Sequence, residues 1–277
     1  MSTDLMEGLQ RIVRALGYTT PVDQFLVWFG LGMARLVTVF SVSPILGGNV
    51  VPARIRVGLA VIMTALLFPA ISSGQTQNMQ PLLFVALLAK EVFIGLTIGF
   101  FSLMVFSAAE SAGQVIDNQR GMNVAYYYSP QVGGQTSLLG NLQFQVAVVL
   151  FLSLDGHLLF IRTLFFSFEQ MPAGRFPTFP TGTGPAVESV IRVSADLLVI
   201  ALQLSAPILL VLFLVDLGFM LLAKIAPQIN IFQESLPVKA LVGLLVLFFT
   251  AGFILNQFSV RLAEMLRRVA EIAGVLG

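Results

Sequence analysis

Six apolar runs dominate the chain, and they limit what it can fold into more than any other feature. They cover Val22–Leu46, Ile55–Ile71, Leu82–Ala109, Leu138–Leu154, Ile191–Val215 and Val238–Leu255. Each approaches or exceeds the roughly 20 apolar residues a helix needs to cross about 30 Å of hydrocarbon. A backbone in lipid must satisfy its N–H and C=O groups internally, which leaves only helices or a closed barrel. The alternating segments of about ten residues that build a barrel are absent, so the runs predict an all-α fold. A shorter stretch, Leu158–Phe168, follows the fourth run. It predicts a hairpin turning at Asp155-Gly156-His157.

Composition agrees. Of 277 residues, 57% are hydrophobic and 10% charged, against about 25% charged in a soluble domain. A surface so poor in charge belongs to the membrane class. The net charge of +1 argues against a nucleic-acid partner, because phosphate binding needs clustered Lys and Arg. There is no cysteine, which removes disulfides, thiolate chemistry and cysteine metal sites. No repeat divides the sequence, so we expect one integral domain over 1–277. It carries an amphipathic head at 1–21 and an amphipathic tail at 256–277. The head lacks a signal-peptide layout, and the first apolar run would serve as an uncleaved anchor. Six spans put both termini on one side, with Arg11, Arg14, Arg162, Arg175, Arg261, Arg267 and Arg268, against Arg54, Arg56, Arg120 and Lys224 on the other. The positive-inside rule makes the side of the termini cytoplasmic. The segment Met171–Pro185, with four prolines and three glycines, reads as a water-facing loop.

Charged residues inside or at the ends of the runs are Arg35, Lys90, Glu91, Glu110, Asp196 and Asp216. A lone charge at mid-bilayer costs several kcal/mol, so each should face protein or water. Three readings stand: a proton or ion relay, structural pairing between helices or subunits, or segments that never touch lipid. Lys90 and Glu91 point about 100° apart on a helix and are not expected to neutralise each other directly. Asp196 and Asp216 lie near the ends of one run, within reach of the interfaces. His157, the only histidine, cannot build a histidine metal site and reads as a turn residue. No nucleophile-elbow, zinc, P-loop or dinucleotide motif is present, so no enzyme or cofactor is indicated. Gly95-x-x-x-Gly99 would let another helix approach closely, with Gly30 and Gly32 adding to that impression.

One stretch breaks the apolar pattern, "AGQVIDNQRGMNVAYYYSPQVGGQTSLLG". Its glycines permit backbone shapes that other residues resist, and Asn118, Gln119 and Asn123 can satisfy a non-helical backbone. On residue chemistry alone it is either a re-entrant plug, tolerated at membrane depth when packed in protein, or an ordinary extramembrane loop.

Together with "SPILGGNVVPARIRVGLA", "QTSLLGNL", "DGHLLFIR", "MPAG" and "KIAPQINIFQESLPVKALVG", this stretch resembles the export-gate family of type III secretion, the flagellar FliR and injectisome SctT proteins. The resemblance runs in order over nearly the whole chain, with the injectisome branch slightly favoured. It implies a subunit resembling a fused P–Q pair that closes a helical assembly. Its partners would be P/R-type (FliP) and Q/S-type (FliQ) subunits, and an FlhB/SctU-type switch subunit would wrap the gate. Unfolded polypeptides would pass through it across the bacterial inner membrane. It further implies a plug within 113–135 that carries Gly113, Asp117, Asn118, Gln119, Arg120, Gly121, Met122, Asn123, Tyr126 and Tyr127. Gly113 and Gly121 would bend the plug backbone, Asp117 and Arg120 would pair, and Met122 with Tyr126–Tyr128 would supply sealing bulk. Pro52, Arg54, Ala226, Pro227, Gln228, Asn230, Phe232 and Lys239 would pack against neighbouring subunits. The runner-up function is a small-solute secondary transporter. It is disfavoured because the insert has no counterpart in the other half of the chain.

Overall fold

The structure, a computed structural model, describes all residues except 1, 16, 19, 45–46, 48–50, 73–79, 123–136, 177–183, 229 and 276–277. The described residues form eight helices. They are α1 (Ser2–Ala15), α2 (Val22–Val42), α3 (Ala53–Ile71), α4 (Pro81–Gln119), α5 (Leu138–Ser153), α6 (Gly156–Gln170), α7 (Gly184–Ile225) and α8 (Ile231–Val275). Five of them, α2, α3, α4, α7 and α8, contain stretches long and apolar enough to cross a membrane. The fourth apolar run behaves differently. Helix α5 has 16 residues and spans only about 24 Å at 1.5 Å per residue, short of the hydrocarbon thickness. It reaches membrane length only as a broken pair with α6. The break lies at Leu154 and Asp155, where Asp155 adopts φ 55°. His157 is the second residue of α6.

The chain packs as two compact units. The first comprises Met1–Leu103, Leu158–Val187 and Leu266–Gly277. Its helices approach closely because small residues let them. A Cβ on Gly95 would lie 2.6 Å from the Arg35 carbonyl oxygen, and one on Gly99 would lie 2.8 Å from Val42 Cβ. The Gly-x-x-x-Gly stripe thus seats α4 against α2. Gly32 likewise receives Ile71 and Thr64 of α3. Tyr18, Phe25 and Phe68 form an aromatic cluster, and the Tyr18 hydroxyl donates to the Ala65 carbonyl at 2.5 Å.

Within this unit the charges in the spans are resolved by protein. Arg35, fully buried, donates from Nε to Glu91 at 2.5 Å, from Nη1 to the Ser167 carbonyl at 2.7 Å, and from Nη2 to the Met171 carbonyl at 2.8 Å. Its guanidinium also lies over the Phe168 ring. Two sequence expectations are corrected here. Lys90 and Glu91 do pair, Nζ to Oε1 at 2.6 Å. Their Cα–Cβ vectors diverge, but both side chains are long enough to curl toward one buried centre. The first part of the proline-rich segment is not a water-facing loop. Met171 and Ala173 are buried, and the carbonyls of Pro172, Ala173 and Arg175 all accept from Lys90 Nζ at 2.9–3.1 Å. A buried ammonium needs three acceptors, and this turn supplies them.

The second unit comprises Met104–His157 and Glu188–Met265. Its core gathers Phe106, Phe151 and Phe258 in edge-on contacts, with Leu204, Ile208 and Leu212 of α7 buried.

Candidate functional site

The polar stretch that interrupts the apolar pattern begins as helix. Helix α4 runs past the apolar run to Gln119, so Gly113 through Gln119 are its last two turns. Gly113 therefore does not bend the backbone. It is buried where α4 meets α5, and a Cβ there would clash with the backbone nitrogen of Gly140. Gly140 makes the same concession from the other side, facing the Glu110 carbonyl. Gly121, by contrast, sits at φ 79° just past the helix end, a conformation natural to glycine. The Leu236 side chain lies where a Cβ would be.

Asp117 is the centre of the site. Its carboxylate is 3% exposed and accepts from three places. Arg120 Nη1 donates to Oδ1 at 3.3 Å, Ser137 Oγ to Oδ2 at 2.7 Å, and the Leu139 N–H to Oδ2 at 2.9 Å. Ser137 is also the N-cap of α5 and accepts from the Gly140 N–H at 2.8 Å. Serine and aspartate together therefore cap the first turn of α5, where backbone N–H groups lack helical partners. The negative charge also suits the positive end of that helix. Arg120 and Ser137, seventeen positions apart in the sequence, thus share one carboxylate.

Arg120 extends the network to α8. Its Nη2 donates to the Ala240 carbonyl at 3.0 Å, and its stem lies across Gly243, whose missing Cβ makes the room. Gln119 Nε2 donates to Asp216 Oδ2 of α7 at 3.2 Å. Asp216 also pairs with Lys239 of α8. Asp216 therefore does not sit at a helix end near an interface. Helix α7 continues nine residues beyond it to Ile225, and its charge is met by protein.

The remaining expected site residues fall into three groups. Asn118 is exposed and Met122 half-buried at the edge of the network. Asn123, Tyr126 and Tyr127, with Tyr128, lie outside the described residues. Of the expected packing residues, only Lys239 joins the network. Pro52 precedes α3 as its N-cap and Arg54 is exposed. Ala226, Pro227, Gln228, Asn230 and Phe232 line the α7–α8 turn, with Phe232 62% exposed. Sequence reading missed Ser137, Gly140, Asp216 and Gly243 as site members. Ser137 carried a signal, since a serine just before an apolar run marks a helix start. Gly243 carried none.

Chemically the arrangement holds structure rather than reacting groups. Among the described residues no three His, Asp or Glu side chains are placed to share a metal ion. The Asp117 and Asp216 carboxylates are taken up by ion pairs with Arg120 and Lys239, and Asp117 also by the cap of α5.

The described residues define an all-helical membrane protein whose buried charges tie the end of α4 to α5, α7 and α8. The family described as "Bacterial export proteins, family 1" matches residues 26–265, and the chain belongs to it. The chain is 30% identical over 252 residues to the flagellar biosynthetic protein FliR of Bacillus subtilis, covering 89% of this chain and 96% of that one. It is also 30% identical over 227 residues to the Yop proteins translocation protein T of Yersinia pestis, covering 82% and 86%. The secretion system apparatus protein SsaT of Salmonella typhimurium is 26% identical over 242 residues, covering 86% and 92%. A flagellar relative and a secretion-system relative are thus each 30% identical to this chain.

Proposed function

We propose that this chain is the FliR/SctT-type subunit of a type III secretion export gate. It closes a multi-subunit helical channel through which unfolded polypeptides cross the bacterial inner membrane. The observation that carries this reading is the extent of the family match, residues 26–265, which takes in the second compact unit, most of the first and the Asp117 network. A small-solute transporter has no such support. The reading assigns the chain no catalysis. Its partners would be P/R-type and Q/S-type subunits, with an FlhB/SctU-type subunit on the closed gate. The many exposed apolar side chains of α7 and α8 suit burial against such neighbours.

The insert that begins at Gly113 would be the gate's plug. Four features favour this. The insert is anchored at both ends by one carboxylate, it turns at a positive-φ glycine, it carries an adaptable methionine, and α7 and α8 brace it. Co-expression tests the gate. Tagged chain produced with P-type and Q-type partners should elute as one discrete multi-subunit particle. Elution of the tagged chain alone, with those partners expressed and membrane-inserted, overturns the assignment.

A further inference from the structure

Within the second unit the end of α4 is held from two sides, and the two sides are built differently. Against α5 the contact is backbone on backbone. A Cβ on Gly113 would meet backbone atoms of Leu139 and Gly140. Asp117 adds the bonds that cap α5, to Ser137 Oγ and the Leu139 N–H. No side chain stands between the two helices there that could swing aside.

Against α8 only side-chain ends reach across. The Leu236 side chain fills the place of a Gly121 Cβ, and the Arg120 stem lies over Gly243. Arg120 Nη2 donates to the Ala240 carbonyl. Lys239 holds Asp216 of α7, which accepts from Gln119 Nε2. Leu236, Lys239, Ala240 and Gly243 stand at i, i+3, i+4 and i+7, so they form one face of α8. This face is also the wetter of the two sides. The side chains of Asp216, Lys239 and Arg120 are 26%, 15% and 11% exposed, against 4% for Asp117. Ion pairs that water reaches are worth less than buried ones, and side-chain ends part by a change of rotamer. A seat of packed backbones has no such route.

We propose that the Leu236–Gly243 face of α8 is a latch that must release the end of α4 before a polypeptide can pass. The proposal rests on the gate and plug readings and names the contact that gives way.

The chain has no cysteine, so an introduced pair is the only thiol chemistry the subunit can show. A Cβ on Gly243 would lie 2.9 Å from Arg120 Cγ, one bond from the Arg120 Cβ, close to the separation that a disulfide spans. Arg120→Cys with Gly243→Cys should therefore crosslink α4 to α8 on oxidation. A second pair, Gly121→Cys with Leu236→Cys, crosses the same face and keeps Arg120. Each is made in the full chain, in cells that carry its partner subunits, and polypeptide export is followed before oxidation, after it and after reduction. Export should be lost as the crosslink forms and return when it is reduced, with the particle intact throughout. Equal export in the oxidised and reduced forms of both pairs overturns the latch. So does failure of both pairs to crosslink, which would mean that this face does not lie against the end of α4. The gate reading falls separately, if cells export equally with and without this chain.

Discussion

Asp117 concentrates more of the site's bonding than any other residue. Asp117→Ala would leave the Leu139 N–H and the Arg120 guanidinium short of an acceptor in a buried setting. Loss of a cap plus an unsatisfied donor amounts to about 2–4 kcal/mol. Thermal unfolding in detergent should show a clear drop in Tm, with Asp117→Asn falling between the mutant and wild type; an unshifted Tm for the alanine variant would show that the network contributes nothing. Gly113→Val tests the close approach of α4 and α5. Its added carbons have no space beside Gly140, so overpacking should destabilise by about 1–3 kcal/mol, and a Tm equal to wild type would mean that the helices are not seated as described. At this scale the sequence was partly readable. The Asp117–Arg120 pair was expected within the plug that the resemblance implies, and the two residues do pair. The role of Gly113 was not, because a glycine that bends a chain and one that admits a neighbour look identical until the neighbour is known.

Among elements, the Arg35–Glu91–Lys90 cluster ties α2, α4 and the turn after α6 together. Glu91 is the only acid there, facing two cations. Glu91→Gln should therefore leave both buried without a counter-charge and destabilise by about 3–5 kcal/mol. Lys90→Met keeps the Arg35–Glu91 pair and should be the milder change. Denaturant unfolding of the two variants in matched detergent gives the order directly, and equal or reversed losses would reject charge balance as the governing factor. The helices themselves were legible from hydropathy, since lipid leaves little alternative to them. Their ends were not. Helix α4 runs on to Gln119 and α7 starts at Gly184, into stretches whose polarity reads as loop. Tertiary partners such as Ser137 and Asp216 satisfy those polar side chains, and no local pattern announces a partner far along the chain. The Lys90–Glu91 contact was hidden for the same reason, because Arg35 holds Glu91 while the carbonyls of Pro172, Ala173 and Arg175 hold Lys90, and these distant partners bring the two side chains to one point.

For the whole molecule, the prediction concerns leakage. If the stretch from Asp117 is the plug, deleting Asp117–Asn123 should raise the ion conductance of membranes that carry the gate while the particle still assembles. Unchanged conductance with normal assembly would remove the plug assignment and leave the subunit assignment standing. Membrane class and export-gate resemblance were readable over nearly the whole chain, and the family match covers residues 26–265. The division into two compact units was not, because α4 passes from one to the other inside an unbroken helix, with no linker, proline or change of composition at Leu103 to mark the border.

The shared carboxylate of Asp117 has a mechanical consequence. The end of one helix, the start of the next and the arginine brace all meet at the same two oxygen atoms. Protonating or removing that one group therefore loosens three elements together, a single point through which the whole seam can be weakened.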